Sequence, residues 1–452
     1  MLNLLGRDSL RIAILAIREE ASQCKTNCSN IDWSDANVAH VLGAFNYGMV
    51  LTMLCGGPLA DMLGGKYLLL VVTLISSLCT LLVPILVDIS LSSLLNCQVV
   101  YGLSGGLVVP ALSCMIARWE PRSQCGRLAT IIYTGSQFSA VFTALFTGYI
   151  TYNFNWRLVF FILGSVPLLW VIPWVLLVTE DPSCNSMISS KEKELLLRET
   201  STSVIRPRIR DIPFHNILLS GPVWGVIVAN VGCSWATTHT SLLLPQFLHQ
   251  SLELPIHHNG ILSSLPYIGC CLVGLLASCF YSWLTNSIGL SHTSARKLCS
   301  SICLWGFAAL TIAVPFVSQN TLLVTIATTG AYSLMGFNLV GAWSNPLDIA
   351  PNYVGTVMGI SGLFCYLTGA LVPNTLGLAS AVVDSEDVWT FIFLLVVGVT
   401  IVANALFLLL GTADLQEWNS VGSSNSREQL HKCEEKLTQR LLGFENHVQR
   451  VV

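Results

Sequence analysis

The sequence contains very little charge. Only 10% of its 452 residues are Asp, Glu, Lys or Arg, whereas soluble globular domains carry about 25%. A net charge of −3 gives no electrostatic basis for a nucleic-acid partner. Hydrophobic residues make up 53% of the chain, and the mean hydropathy is +0.66, which is more apolar surface than a soluble fold buries. The composition therefore predicts an all-α, multi-pass integral membrane protein surrounded by a lipid bilayer.

The sequence also lacks the motifs of soluble enzymes. It contains no P-loop, no zinc-ligand spacing and no nucleophile elbow, so we predict no enzyme, no metal site and no organic cofactor. The 16 cysteines do not form a disulfide framework, because most lie inside apolar runs, where cysteine behaves as a small hydrophobe. Cys24 and Cys28 share a polar loop, where a local disulfide stays open as an alternative.

Apolar segments long enough to cross a bilayer recur along the chain. A span needs about 20 apolar residues, and eleven segments approach or exceed that length after a shorter stretch at residues 4–17. This first stretch lacks a signal-peptide cleavage site and carries Arg11, so we interpret it as a helix truncated at its N terminus. The sequence thus predicts about twelve transmembrane helices. The eleven later spans are predicted at residues 38–60, 67–87, 93–117, 128–150, 158–178, 218–247, 259–283, 298–317, 321–344, 354–378 and 388–411.

The positions of lysine and arginine predict the orientation. Basic residues mark cytosolic loops, and the loops after the second, fourth, sixth and eighth predicted spans are basic. Both termini are then cytosolic. The first loop, residues 18–37, faces outward or into an organelle lumen, and it contains Asn27 in an Asn-Cys-Ser sequon. We therefore predict glycosylation at Asn27.

A polar break divides the chain into two halves. The predicted divisions are an N-terminal six-helix bundle (1–179), a cytosolic linker (180–216), a C-terminal six-helix bundle (217–411) and a cytosolic tail (412–452). Within the linker, Ser189 followed by Glu192 predicts the capped start of a short surface helix. Two six-helix halves around a central site are a common plan for transporters.

One loop motif is specific enough to indicate a family. Residues 56–66, GGPLADMLGGK, lie between the second and third spans and resemble the G-x-L-A-D-x-x-G-x-K/R loop of the major facilitator superfamily. The resemblance implies a gating role for Gly57, Asp61, Gly64 and Lys66. Glycines allow close helix approach and chain reversal. Asp61 is expected either to accept hydrogen bonds from a helix N terminus or to pair with a basic residue.

Further stretches narrow the resemblance to one branch of the superfamily. They resemble, in order, the sialin, type I sodium-phosphate and vesicular glutamate transporters, a family of organic-anion carriers. The resemblance implies a major facilitator fold that moves a small anionic substrate by alternating access, with H⁺, Na⁺ or membrane potential as the coupling force. We expect a monomer. The stretches include LGAFNYGMVLTMLCGGPLAD, ARWEPRSQCGRLATIIYTGSQF, NPLDIAPNYVGTVMGISG and DLQEW.

Charged residues in the first span are the leading substrate-site candidates. An ionisable group inside a membrane is costly unless it faces a cavity or a partner. The resemblance places Arg7 at the family's first-helix arginine, which attracts the substrate anion, and a guanidinium suits an acid group because it donates two parallel hydrogen bonds. Asp8 follows directly and is predicted to pair with Arg7 or Arg11, or to hold a coupling proton.

The fourth span departs from the family pattern. Gln98 stands where the family has an arginine, and Gly105 stands where it has a glutamate associated with proton coupling. In the seventh span, Thr238 replaces a cavity tyrosine. These losses argue against vesicular glutamate transport.

Uncharged polar residues in the spans complete the predicted site. His239 is a coupling candidate because imidazole titrates near physiological pH, and Asp348 is a gating candidate in the loop that follows the tenth span. The residues predicted to contact substrate, besides Arg7, are Gln98, Tyr101, Gln137, Thr238 and Asn345.

Two other function classes stay open. A non-transporting sensor or scaffold could have lost the coupling charges, and a channel-like anion conductor would need no proton-carrying glutamate. The membrane also stays open: plasma membrane, lysosome or secretory vesicle. The tail contains a dileucine in QRLLGF, but the acidic residue expected four positions upstream is missing.

Overall fold

Every element of the structure is helical. The structure, a computed structural model, describes residues 5–23, 35–121, 127–182, 185, 187–199, 207, 209–252, 256–317, 320–383 and 388–419. The α-helices are α1 Leu5–Gln23, α2 Asp35–Leu63, α3 Gly65–Ile89, α4 Leu91–Gly105, α5 Val108–Trp119, α6 Arg127–Asn153, α7 Trp156–Leu177, α8 Ser190–Glu199, α9 Phe214–Leu219, α10 Gly221–Leu252, α11 Ile256–Asn286, α12 His292–Thr311, α13 Thr321–Leu334, α14 Pro346–Ile349, α15 Val354–Val382 and α16 Val388–Leu410.

The described helices give twelve membrane-crossing segments. By length and apolarity, nine of them could each cross a membrane, and the bent pair formed by residues 209–219 and 221–241 gives a tenth. The charged α1 and the long α15 complete the set. Helices α4 and α5 together form one crossing, so α1–α7 supply six crossings and α10–α16 supply the other six. The predicted number of helices is therefore confirmed.

The fourth and tenth crossings are not the continuous helices that apolarity predicted. The fourth breaks at Gly106 and Leu107, where a Cβ on Gly106 would lie 2.8 Å from the Met49 carbonyl oxygen of α2. The tenth leaves α-geometry at Met335 and continues as a 3₁₀ turn to Leu339, followed by turns. Hydropathy reports the burial of a segment but not the close backbone contacts that bend it.

Smaller differences occur at the ends of elements. Helix α1 continues to Gln23, beyond the apolar stretch that ended at residue 17. The linker ends with α9, which meets α10 at an angle of 77°. The capped linker helix is confirmed, because the Glu192 N–H donates to Ser189 Oγ at 3.2 Å at the start of α8.

The packing is that of a protein solvated by lipid. Large apolar side chains such as Leu145, Leu276 and Leu409 are more than 60% exposed, as expected for groups that face hydrocarbon. Inside the bundles, threonine hydroxyls are buried, and they donate to carbonyl oxygens one turn back, as Thr80 and Thr328 do. Apolar side chains thus face both the lipid and the cores of the bundles, while buried hydroxyl groups find acceptors within their own helices.

Candidate functional site

The two halves are closely joined at one end, which we call the basic end because Lys66, Arg118 and Arg296 lie there, near the ends of α3, α5 and α12. There α2 and α15 approach through glycines. A Cβ on Gly57 would lie 2.6 Å from the Gly355 carbonyl oxygen, and a Cβ on Gly359 would lie 2.6 Å from the Met53 carbonyl oxygen. No side chain fits between these helices, so the glycines allow contact between their backbones.

Asp61 connects the two halves at this contact. It is buried, with 3% of its surface exposed, and its carboxylate receives the N–H groups of Gly355 and Thr356 at 2.9 and 2.8 Å. The Thr356 hydroxyl donates to it at 2.6 Å, and the Cys114 thiol donates at 3.1 Å. Of the two alternatives for Asp61, the structure has the helix N terminus, here that of α15, where a negative charge is stabilised by the helix dipole.

The turn after Asp61 is organised by a carboxylate that the motif does not contain. Gly64 has φ +89°, a left-handed conformation that favours glycine. Glu180, which follows α7, receives the N–H groups of Gly65 and Lys66 at 2.9 and 2.8 Å. Glu180 also pairs with the buried Arg118 at 2.9 Å. The carboxylate thereby caps α3, and a Cβ on Gly64 would collide with it.

The Lys66 main chain donates a hydrogen bond to Glu180, whereas its side chain lies beside an aromatic ring. Its ammonium lies 5.8 Å from the Tyr67 ring centre, and within the described ranges it forms no ion pair. Within this motif, hydrogen bonds to the rest of the protein therefore come from the Lys66 N–H and from Asp61.

A second charged cluster lies at the basic end. Arg296 is 1% exposed and donates to Asp348 at 2.8 Å and to the Val340 carbonyl oxygen at 2.7 Å. Both partners belong to the C-terminal half. The N-terminal half contributes Glu120, a buried carboxylate that receives the Leu128 N–H at 2.9 Å and interacts electrostatically with Arg296 and Asp348. The predicted gating residue Asp348 thus lies in a charge cluster shared by the two halves.

Glu120 predicts a pH dependence of stability. Burial raises its pKa to about 7, against the smaller opposing effect of Arg296. Because the folded protein keeps this proton up to about pH 7 and the unfolded chain releases it near 4.5, stability falls as pH rises between those values. Replacing Glu120 with glutamine removes this loss, so we expect the variant to be more stable at pH 8 by on the order of 1–3 kcal/mol.

Thermal unfolding of the purified protein at pH 5.5 and pH 8 measures this effect. Glu120→Gln should narrow the difference in melting temperature between the two pH values. The exposed Glu192→Gln variant of α8 is the matched control and should leave the difference unchanged. An unchanged difference in Glu120→Gln would show that this carboxyl group is already ionised at pH 5.5.

A second group of polar residues lies between the halves, away from the basic end. Arg7 of α1 donates through Nε and Nη2 to one oxygen of Asp8, at 3.0 and 2.9 Å, and its guanidinium lies 5.2 Å from the Phe45 ring centre. Phe45 precedes Asp61 by 16 residues on α2, which at 1.5 Å per residue is about 24 Å. This arginine is therefore deep in the protein and far from the closed contact.

Tyrosines from other helices surround this arginine. The Tyr101 ring of α4 packs edge-to-face on Phe45 with centres 5.3 Å apart, and both Tyr101 and Tyr366 of α15 interact electrostatically with Arg7. Arg11, one turn further along α1, interacts with Tyr366 and with Tyr267 of α11. Cations from the N-terminal half thus face phenols from the C-terminal half, and the arrangement can bind an anion.

The other predicted substrate residues are not all part of this group. Gln98 is 1% exposed, and its Nε2 has no partner among the described residues. Gln137 is half-buried on α6, and the Thr238 carbonyl oxygen receives the Ser241 hydroxyl at 3.0 Å on α10. Asn345 is fully buried, three residues before Asp348, which places it near the basic end.

His239 lies inside the C-terminal half. It is 4% exposed and lines a small cavity together with Thr240, Thr311, Thr328 and Phe393. All of these residues belong to α10, α12, α13 and α16, so the ring faces its own bundle and not Arg7. The alternation of polar residues along α10 did not reveal which face of the helix each one occupies.

Sequence reasoning missed several residues of both groups. Arg11 was predicted only as a possible partner of Asp8, although a side chain four positions after Arg7 shares its helix face. Glu120 and Glu180 gave no signal, since each follows a predicted span and reads as an ordinary polar loop residue. The predicted glycosylation site Asn27, the Cys24–Cys28 pair and the C-terminal tail beyond residue 419 lie outside the described residues.

Comparison with known proteins agrees with this architecture. The family model of the major facilitator superfamily matches residues 1–373. The chain belongs to the major facilitator superfamily. It is 30% identical to human sialin over 388 residues, which is 85% of this chain and 77% of sialin. It is 28% identical to mouse sodium-dependent phosphate transport protein 3 over 396 residues, 87% and 82% of the two chains.

A solved structure gives the same fold at lower sequence identity. A major facilitator proton:xylose symporter superposes with a TM-score of 0.67 at 14% identity, covering 93% of this chain and 96% of the symporter. The predicted family and fold class are confirmed: this major facilitator protein is an integral, multi-pass membrane protein of the sialin and sodium-phosphate transporter branch.

Proposed function

We propose that this major facilitator protein is a secondary active transporter of a small organic or inorganic anion and works by alternating access. One observation carries the proposal: Arg7 and Arg11 of α1 lie between the two halves, and Arg7 lies beside Phe45, which is about 24 Å along α2 from Asp61 at the closed basic end. A cationic site between two halves that are joined at one end is what a carrier needs in one of its two states.

The orientation and coupling belong to the same proposal. Basic loops favour the cytosolic side, so the closed end is the cytosolic gate and the anion site faces the exterior or an organelle lumen. The relatives named above are sialin and a sodium-dependent phosphate transport protein, which supports an anionic substrate. Protons, sodium ions or the membrane potential supply the driving force, and the protein works as a monomer in the plasma, lysosomal or vesicular membrane.

Uptake into proteoliposomes tests the proposal. The purified protein is offered radiolabelled phosphate, sialate, glutamate, aspartate and urate under separately imposed pH, sodium and voltage gradients. We expect concentrative, saturable uptake of one anion under one gradient. Replacing Arg7 with alanine should abolish that uptake while the protein stays folded. Arg210→Ala, at an exposed arginine of the linker, is the control and should keep full activity.

Two results would contradict the proposal. Anion conductance that never accumulates substrate against a gradient would identify a channel-like conductor. Failure with every anion, in a preparation that melts cooperatively and elutes as one species, would identify a non-transporting sensor or scaffold, and the missing charges at Gln98 and Gly105 would then become the main evidence.

A further inference from the structure

The two arginines on the inner face of α1 differ in their surroundings. Arg7 and Arg11 are one helical turn apart, so their side chains share a face of the helix. Arg7 is one-fifth exposed, whereas Arg11 is exposed. Both interact electrostatically with Tyr366 of the opposite half, and Arg11 also interacts with Tyr267. The more exposed guanidinium is therefore that of Arg11, to which the family resemblance assigned no role in substrate binding.

The guanidinium of Arg7 is already paired with a carboxylate of the protein. Its Nε and Nη2 both donate to Oδ1 of Asp8, at 3.0 and 2.9 Å, and the ring of Phe45 lies beside the guanidinium. A substrate acid group would have to displace the Asp8 carboxylate to gain the same two donors. Because Asp8 is joined to Arg7 in sequence, it is present at high effective concentration and is a strong competitor.

Arg11 has no such partner. Within the described ranges it makes neither a hydrogen bond nor an ion pair. It interacts electrostatically with its like-charged neighbour Arg7 and with Asp8, whose carboxylate is hydrogen-bonded to Arg7. An arginine inside a membrane is costly when it is unpaired. Its five N–H donors are available to an acid group in bidentate geometry.

The charges in this group also limit the valence of the ligand. Arg7 and Arg11 contribute two positive charges and Asp8 contributes one negative charge, so the group has a net charge of +1. One negative charge on the ligand neutralises it, and a second would lie unpaired in a poorly solvated space. The rings of Tyr267 and Tyr366 can pack on a carbon skeleton or ring, which inorganic phosphate lacks.

We infer that Arg11 binds the acid group of a monovalent organic anion, while Asp8 holds Arg7 as a fixed internal counter-anion. This inference rests on the proposed function and adds the valence of the substrate and the residue that docks it. It also assigns Asp8 a role in selectivity: removing its charge raises the net charge of the site to +2 and favours divalent anions.

Ligand pairs of matched skeleton but different valence test the inference. The purified full-length protein is titrated with gluconate and glucarate, butyrate and succinate, and benzoate and phthalate, and binding is read as thermal stabilisation at constant ionic strength. We expect the wild type to prefer the monovalent member of any pair that it binds. Arg11→Ala should weaken that binding at least tenfold, and Arg11→Lys should recover part of it.

The Asp8→Asn variant tests the counter-anion directly. We expect its ratio of divalent to monovalent affinity to rise at least tenfold over that of the wild type, and Arg210→Ala should leave the ratio unchanged. Melting temperature and elution profile without ligand show that each variant is folded; if Arg11→Ala does not fold, Arg11→Lys and Arg11→Gln replace it.

The outcomes separate this inference from the proposed function. If Arg11→Ala binds monovalent anions as tightly as the wild type, or Asp8→Asn keeps the wild-type ratio, the inference is overturned while anion transport stands. A wild type that prefers divalent anions also overturns it. If the folded wild type binds no organic anion yet accumulates phosphate, the inference alone fails. If it neither binds nor transports any anion, both fail.

Discussion

Replacing Asp61 with alanine is expected to open the basic end and abolish concentrative transport. The variant loses hydrogen bonds from Gly355, Thr356 and Cys114 and leaves two N–H groups of α15 without acceptors. Hydrogen bonds to a charged group contribute about 1.5–3 kcal/mol each, and such losses are not additive. A total of about 3 kcal/mol lowers the population of the closed state roughly 100-fold relative to the open state.

Cys114 provides a built-in reporter for this opening. Its thiol is 4% exposed and touches Asp61, so alkylation from the basic side should be slow in the wild type and at least tenfold faster in Asp61→Ala. Peptide mass spectrometry separates this signal from the exposed Cys55 and Cys279. Asp88→Asn, at an exposed ion pair with Arg157, is the control. Unchanged labelling together with normal uptake in Asp61→Ala would exclude a gating role for Asp61.

Alanine at Gly57 or Gly359 is expected to prevent the basic end from closing. A single methyl group at Gly57 would lie 2.6 Å from the Gly355 carbonyl oxygen and 2.7 Å from Thr356 Cα, and neither backbone atom can move aside alone. Overpacking of this kind costs about 1–3 kcal/mol. We expect uptake to fall about tenfold or more, with faster labelling of Cys114 from the basic side.

Helix α15 offers a matched control for the Gly359→Ala substitution. A Cβ on Gly369 of α15 would meet no atom within 4 Å, so Gly369→Ala makes the same chemical change without a collision. Its uptake and labelling should equal those of the wild type. Equal effects of Gly359→Ala and Gly369→Ala would point to helix propensity, and the backbone contact would then have no part in gating.

The prediction for Asp61 shows what a sequence motif can and cannot establish about a contact between helices. The glycine-rich loop placed this carboxylate at a gate and left two partners open, a helix N terminus or a basic residue. The partner is Thr356, which is 295 residues away in the chain, and although its stretch resembles the family, nothing in that stretch indicates a contact with Asp61. Such a pairing is set by how two bundles dock, which local sequence patterns do not encode.

The polar residues within spans show a similar division. Hydropathy identified the spans that carry Arg7 and His239, because a charged or polar residue stands out in an apolar run. Whether such a residue faces the centre or its own bundle depends on the rotation of each helix. Arg7 faces the opposite half, whereas His239 faces α12, α13 and α16.

The sequence by itself determined the membrane class, the twelve crossings, the two halves and the family, because these depend on composition and on patterns within about 20 residues. Only the tertiary structure decided what Asp61 caps, that Glu180 completes the turn at Gly64, that the tenth crossing unwinds after Leu334 and that Arg11 stays open beside Arg7. These features depend on contacts between helices that are distant in the chain. Hydropathy alone does not distinguish lipid-facing from cavity-facing residues, because that difference arises only when the helices pack.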